Sequence, residues 1–192
     1  MNVWLIGLGF FLIGLLGGAP LSAASFSLTP GETREALRVG QRSVVSKEFG
    51  KEWQVVNENG DSLRVMTPFH RLALGARNAA FKNETLTERE IEKILRAKEG
   101  RLLFWANLHG GRTEFARWYR PMLLLPNNEE IKPAFVQNER TALPLENGRY
   151  LARCLYSFPT ERLRAKSRVV LVVREPDGRE AARFTLDFST MR

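Results

Sequence analysis

The spacing of apolar residues changes at Arg101, and this change constrains the fold more than any other feature of the sequence. Residues 29 to 99 carry apolar residues at three- and four-residue steps, which is typical of amphipathic helices, with one interruption. Residues 101 to 189 contain short apolar runs separated by Gly, Pro and Asn, which is typical of strands and turns. The sequence therefore predicts an α+β fold: an N-terminal segment of three helices and a β-hairpin, followed by antiparallel strands.

Each predicted helix begins at a recognisable capping signal. Proline at the first helical position and an acidic residue three positions after a threonine both favour a helix start. The first helix is expected to end near Ser46, and the third is followed by Gly100, which suits a left-handed C-terminal cap. The three starts are Thr29-Pro30, Thr67-Pro68, and Thr87 with Glu90.

Turn signals divide the remaining apolar runs into strands. Residues 53–56 and 63–66 flank Asn59-Gly60, which favours a two-stranded hairpin between the first and second helices. In the last run, Phe184, Leu186 and Phe188 alternate with polar residues, as in a sheet with one buried face. The later strands are expected at residues 102–108, 118–125, 131–137, 150–158, 169–173 and 182–188.

Several strands in series favour a β-sandwich. The segment 145–150, which leads through Asn147-Gly148 into a strand at Tyr150, is similar to the tyrosine corner of immunoglobulin-like sandwiches. This resemblance implies that the Tyr150 hydroxyl bonds back to upstream backbone, and it makes an immunoglobulin-like topology possible. Residues 25–100 and the sandwich portion 101–192 are expected to pack as a single domain.

The N-terminal 24 residues carry no Asp, Glu, Lys or Arg. An apolar run is followed by Pro20 and by small residues up to Ala24, which predicts a secretory signal peptide with cleavage after Ala24. No Lys or Arg precedes the run, so a membrane anchor in which residues 1–24 are retained stays open. After cleavage no transmembrane segment is expected. The predicted location is therefore the periplasm or the extracellular space, or the membrane if the segment is retained.

The charge balance limits the classes of partner. The formal net charge is +8 at pH 7, and every charged side chain follows residue 24. In an exported protein this basic balance favours an anionic envelope polymer, a lipid head group or another exported protein over nucleic acid. A mixed, solvated surface accounts for the same composition.

Two segments concentrate cations and are the candidate ligand-binding residues. Phe115–Arg120 combines aromatic rings with guanidinium groups, which stack on planar ligands or bind anions; packing in the core is the alternative. In residues 162–168 a cation stands at every second position, so an extended conformation would place all four on one face; a solvated loop is the alternative. The candidate residues are Arg117, Trp118, Tyr119, Arg120, Arg162, Arg164, Lys166 and Arg168.

The sequence predicts no catalytic set, metal site or cofactor. Cys154 is the only cysteine, so it forms no internal disulfide, and its apolar neighbours predict burial. His70 and His109 are the only histidines, and neither lies in a metal-binding or triad motif. We therefore expect a non-catalytic, envelope-associated binding or interaction module. The alternatives are an exported hydrolase that uses His109 or His70 with a carboxylate, and a membrane-anchored accessory subunit.

Overall fold

The computed structural model describes residues 26–192, which form an α+β fold with three α-helices and two antiparallel sheets. The helices are α1 (Pro30–Arg42), α2 (Pro68–Phe81) and α3 (Glu88–Arg96). Two short 3-10 helices cover Lys51–Trp53 and Phe188–Thr190. The predicted fold class, α+β with antiparallel sheets, is thereby confirmed, while the predicted signal peptide lies outside the described residues.

The threonine caps form as the sequence predicts. Thr29 and Thr87 each complete a capping box, in which the threonine hydroxyl accepts a backbone N–H and a glutamate accepts the N–H of the threonine. Thr67 accepts the N–H of His70 at 3.0 Å. Helix α1 ends at Arg42, earlier than expected, and Ser43 caps it: its N–H donates to the Gly40 carbonyl at 3.1 Å and its hydroxyl to the Val39 carbonyl at 2.6 Å.

The first sheet, called sheet A, has the strand order β1-β2-β3-β8-β6, and β7 also pairs with β8. All of its pairings are antiparallel, and β1 and β2 form the predicted hairpin. Its two long central strands, β3 and β8, pair over ten residues each. The strands of sheet A are β1 (Gln54–Val56), β2 (Ser62–Met66), β3 (Arg101–Gly110), β6 (Phe135–Gln137), β7 (Leu143–Pro144) and β8 (Tyr150–Pro159).

The second sheet, called sheet B, has the strand order β10-β9-β4-β5. Strands β9 and β10 form the predicted hairpin, in which Phe184 and Leu186 are buried while Arg183 and Thr185 are exposed. The strands of sheet B are β4 (Arg120–Leu124), β5 (Glu130–Ile131), β9 (Arg168–Arg174) and β10 (Glu180–Asp187).

One expected strand is divided between the two sheets. Residues 131–137 were expected to be continuous, but β5 ends at Ile131 in sheet B and β6 begins at Phe135 in sheet A. Pro133 lies between them, and proline has no N–H to donate to a strand ladder. The chain therefore passes from one sheet to the other at this point.

The hydrogen bond of a tyrosine corner, which the resemblance at residues 145–150 implies for the Tyr150 hydroxyl, does not form within the described residues. Tyr150 begins β8, as the pattern indicates, but its hydroxyl makes no hydrogen bond within residues 26–192. The tight turn at residues 145–149 is closed instead by the backbone, since the Leu145 N–H donates to the Arg149 carbonyl at 2.8 Å.

Both sheets and the helices contribute to one buried hydrophobic cluster. It contains Phe104 of sheet A, Phe184 of sheet B and Leu72 of α2. Helix α1 packs on α2 at Gly40, which is buried against the α2 backbone. No helix within residues 26–192 is long and apolar enough to cross a membrane.

Candidate functional site

Trp118 forms one side of a cleft of about 310 Å³ between the β3–β4 connection and the end of β6. Its side chain is unusually open for a tryptophan, with a relative exposure of 66%. The segment before β4 is a turn rather than the expected strand, because the Tyr119 N–H donates to the Ala116 carbonyl at 3.1 Å. The cleft is lined by Arg117, Trp118, Gln137, Asn138 and Arg140.

The cleft carries positive charge. The Arg117 guanidinium lies over the Trp118 ring, 5.1 Å from its centroid, and pairs with Glu114 at 3.2 Å. This cation–π contact orients the indole, while the exposed ion pair with Glu114 contributes little to stability. Arg140 is exposed and has no ion pair within residues 26–192. Its five N–H donors are therefore available to a carboxylate or a phosphate.

Asn138 connects the two walls of the cleft. Its side-chain amide donates to the Tyr119 carbonyl at 2.8 Å, which joins the end of β6 to the turn that carries Trp118. Its Oδ1 atom is buried and has no hydrogen-bond partner within the described part of the chain. This bond crosses between the walls, so it connects the residue after Gln137 to the backbone of the residue after Trp118.

Two of the predicted aromatic-basic residues lie outside the cleft. Tyr119 is half-buried and packs edge-on against Phe115, with ring centroids 5.8 Å apart. Burial, aided by the charges of Glu175 and Asp61, raises the pKa of Tyr119 to about 12. Arg120 begins β4 in sheet B, directly opposite Arg174 of β9. The structure thus brings together Arg117 and Trp118 and separates them from the other two.

The basic segment 162–168 is not an extended stripe. Two turns interrupt it, since the Leu163 N–H donates to the Thr160 carbonyl and the Ser167 N–H to the Arg164 carbonyl. The four cations therefore do not share one strand face, as they would in an extended conformation.

Acidic partners also neutralise part of segment 162–168. Arg162 pairs with Glu129, and Arg168 pairs with Asp187 at 2.8 Å. Arg162 and Arg164 line a separate cleft of about 540 Å³, but Glu129 and Glu161 line the same cleft. With both signs of charge on its walls, this second cleft is a poorer anion site than the Trp118 cleft. Lys166 and Arg168 do not line it.

His109 has the carboxylate partner that the hydrolase alternative requires. Asp61 is buried, and its Oδ1 accepts the backbone N–H of His109 at 2.8 Å and contacts the His109 Nδ1 at 3.1 Å. The same carboxylate accepts the Asn57 side-chain amide at 3.1 Å. These bonds also hold the β1–β2 turn against the end of β3, so a structural role explains the pair without any chemistry.

His70 is a core residue. It is 1% exposed, its ring stacks on Trp53 with centroids 4.1 Å apart, and its Nδ1 donates to the Val65 carbonyl at 2.9 Å. Burial lowers the pKa of His70 to about 4. The imidazole is therefore neutral at pH 7, and it is enclosed too completely to reach a substrate.

Cys154 is buried in β8, as its neighbours predict. Burial raises the pKa of the Cys154 thiol and also holds the pKa of Tyr156, two residues further along the strand, well above its usual range. A thiolate nucleophile needs access and a lowered pKa. Cys154 has neither, so it does not serve a His109-based hydrolase.

Sequence reasoning missed three residues of the cleft, namely Gln137, Asn138 and Arg140. They lie in a polar run that begins with the last residue of β6, 19 or more positions from Trp118. Their polarity marks a surface segment, but only the folded chain, through contacts such as the Asn138–Tyr119 hydrogen bond, places them beside Trp118.

Within residues 26–192, no three His, Cys, Asp or Glu side chains gather in a way that could hold a metal ion. Comparison with known proteins adds no function. No protein-family model and no curated protein matches the chain. A crystal structure of a novel protein of unknown function from Burkholderia pseudomallei K96243 is 14% identical, covers 85% of this chain and 92% of its own, and has a TM-score of 0.43. A likeness this weak assigns neither a family nor a ligand.

Proposed function

We propose that this protein is an exported, non-catalytic binding module of the cell envelope, and that the Trp118 cleft binds an anionic group of its ligand. One observation carries the proposal: an exposed tryptophan, oriented by Arg117, shares a cleft with the exposed amide of Gln137 and with Arg140, which has no ion pair among residues 26–192. Small-molecule sites usually combine an aromatic or apolar wall with a few placed polar groups, and this cleft lies at the small end of their size range.

Export is supported by the uncharged N-terminal 24 residues and the small residues that end them. The mass of the intact protein, purified after expression in a host with an export pathway, tests this part of the proposal. A mass that corresponds to residues 25–192 is expected. A mass that includes residues 1–24 would favour the membrane-anchored accessory subunit instead.

We further propose that the two antiparallel sheets form a β-sandwich of immunoglobulin-like topology. Its support is that two antiparallel sheets share one buried cluster and that the chain passes between them at residues 132–134. The Trp118 cleft lies where the connection from β3 of sheet A to β4 of sheet B meets the end of β6 in sheet A.

Binding by the cleft predicts a salt-sensitive affinity that depends on Trp118 and Arg140. We expect the purified residues 25–192 to bind at least one of three anionic probes: a galacturonate trisaccharide, inorganic phosphate, or phosphatidylglycerol vesicles. The variants W118A and R140A are each expected to weaken that binding about tenfold, through loss of the stacking surface and of the unpaired cation respectively. Isothermal titration calorimetry for the soluble probes and co-sedimentation for the vesicles measure the change.

Arg164 provides the matched control, because it is an exposed arginine in the other, mixed-charge cleft. The variant R164A is expected to bind as the unchanged protein does. The proposal is wrong if no anionic probe binds, or if R164A weakens binding as much as R140A, since the latter result would indicate an unspecific effect of net charge.

A second candidate, an exported hydrolase, is favoured by the contact between His109 Nδ1 and Asp61 Oδ1. An acid–base role would make His109 essential to turnover, whereas the binding module does not need it. We expect H109A to leave probe binding nearly unchanged and to lower the melting temperature only in part, because Asp61 loses the imidazole but keeps the His109 N–H and the Asn57 amide. No ester or glycoside hydrolysis is expected in the unchanged protein. Hydrolysis that H109A abolishes without unfolding the protein would establish the enzyme instead.

A further inference from the structure

The outer face of sheet A around Trp105 is a surface that the sequence pattern did not single out. Strand pairing defines it: Arg64, Trp105, Leu155 and Gln137 stand directly opposite one another across β2, β3, β8 and β6, so their side chains share one face. The other face of these strands carries the buried residues of the core, including Phe104 and Tyr156. On the outer face Trp105 is 48% exposed.

Charge on this face has one sign. The strand residues on the outer face of β1, β2, β3, β6 and β8 include Arg64, Arg101 and Arg153, and none of them is Asp or Glu. Arg64 donates to the neutral side chain of Gln54 at 2.9 Å, and Arg153 is exposed with no ion pair in the described chain. These guanidinium groups are therefore not neutralised by the sheet that carries them.

Gln137 joins this face to the Trp118 cleft. It lines the cleft, and it is also the β6 member of the row that continues through Leu155 to Trp105. Neighbouring strands lie 4.7 to 4.9 Å apart, so Trp105 stands about 10 Å from Gln137 across β8. Two exposed tryptophans are thus connected through Gln137 and Leu155, and Arg153 lies two residues from Leu155 on the same face of β8. We call the line from Trp118 through Gln137 and Leu155 to Trp105 the outer track.

We propose that the outer track binds an acidic polysaccharide, with one sugar unit at Trp118 and a later unit of the same chain at Trp105. This inference rests on the proposed function of the cleft and extends it from a single anionic group to a repeating ligand. The apolar face of a pyranose ring packs on an exposed indole, and its carboxylate pairs with a guanidinium. A polymer presents both features more than once, and the track offers an exposed tryptophan and an arginine at each of two places: Trp118 with Arg140, and Trp105 with Arg153.

The charge complementarity of the face argues for this occupant. A face without carboxylates repels no part of a polyanion, and the exposed amides of Gln137 and Asn107 suit the hydroxyl groups that a sugar presents. Sugar units bound at two places on one chain also raise each other's effective concentration. The track therefore predicts that affinity increases with ligand length.

The test compares a galacturonate trisaccharide with a dodecasaccharide by isothermal titration calorimetry. The ten overlapping trisaccharide frames of a dodecasaccharide account by themselves for about tenfold tighter binding per chain, so with a second contact at Trp105 the unchanged protein is expected to bind the dodecasaccharide at least about a hundredfold more tightly than the trisaccharide. The variants W105A and R153A are each expected to remove most of this gain and to leave trisaccharide binding unchanged. Phe81, which is 76% exposed at the end of α2, provides the matched control, and F81A is expected to change neither affinity.

The outcomes separate this inference from the proposed function. If the trisaccharide binds through Trp118, but the longer ligand gains only its statistical factor and W105A has no effect, the proposal of the outer track is wrong and the proposed function of the cleft is retained. If neither saccharide binds but phosphate or phosphatidylglycerol vesicles bind through Trp118, the assignment of a polysaccharide ligand is wrong and the proposed function of the cleft is retained. Absence of binding to every anionic probe overturns both. Tighter binding of single-stranded DNA than of the dodecasaccharide at equal charge overturns the polysaccharide assignment.

Discussion

Replacing Gly40 with alanine is expected to lower the free energy of unfolding by about 2 kcal/mol, although alanine is the better helix former. Gly40 lies in α1 where this helix crosses α2. A Cβ atom there would stand 2.2 Å from the Ala73 carbonyl oxygen and 2.9 Å from the Arg77 backbone nitrogen. Both atoms belong to the α2 backbone, so no side-chain rotation relieves the contact, and the two helices must move apart.

Urea denaturation followed by circular dichroism at 222 nm measures the effect of G40A. Two other helical glycines serve as controls. Gly31 in α1 is exposed, and its nearest contact would be 3.9 Å away, so G31A should leave stability unchanged or raise it slightly. At Gly75 the nearest atom, 2.8 Å away, is the end of the Ile94 side chain, which is able to turn aside, so G75A should cost less than G40A. Equal stability of G40A and the unchanged protein would contradict the close approach of α1 and α2.

Acid is expected to remove about 3 kcal/mol of stability between pH 6.5 and pH 4 through His70 alone. The pKa of His70 falls from its ordinary 6.5 to about 4 in the folded protein, mainly because burial disfavours the imidazolium, with a smaller effect of the Arg64 charge. The bond to Val65 acts in the opposite direction. In this window the unfolded chain binds a proton at His70 that the folded chain does not, so stability decreases as the pH falls.

The His70 contribution is measured most cleanly between pH 6.5 and pH 5, where the free energy of unfolding should decrease by as much as 1.4 kcal/mol per pH unit. The variant H70F keeps an aromatic ring against Trp53 but has no proton to bind. It is expected to be less stable at pH 8, because the Val65 carbonyl loses its donor, and to lack most of the decrease on acidification. Retention of the full decrease in H70F would show that other groups cause it.

Local features of the fold were predictable, because they depend on neighbouring residues. The threonine caps, the helix starts and the β9–β10 hairpin each require interactions within a few positions of one another. The division of residues 131–137 between two sheets was not predictable from alternation of apolar residues. It depends on which distant strand each half pairs with, and Pro133 alone does not determine that choice.

In the candidate site, too, features that depend on adjacent residues were predictable and those that depend on distant segments were not. Trp118 and Arg117 were recognisable as an aromatic-basic pair, since they are adjacent in sequence. Arg140 and Trp105 were not, because each is distant from Trp118 in sequence: Arg140 meets it only in the folded cleft, and Trp105 is connected to the cleft only through the pairing of β3 and β6 with β8. The stripe that an extended conformation of residues 162–168 would give does not form, for a related reason: turns, together with acidic partners from distant segments such as Glu129, determine the shape and charge of this segment.

Because Cys154 is buried, the rate at which its thiol reacts with a reagent in solution measures how often sheet A opens locally. The chain has a single sulfhydryl, on a central strand of sheet A and without solvent exposure. A thiol-modifying reagent in the surrounding solution reaches it only when β8 separates from its neighbours. Each alkylated molecule has therefore undergone such a local opening, and a ligand that stabilises sheet A is expected to slow the alkylation of Cys154.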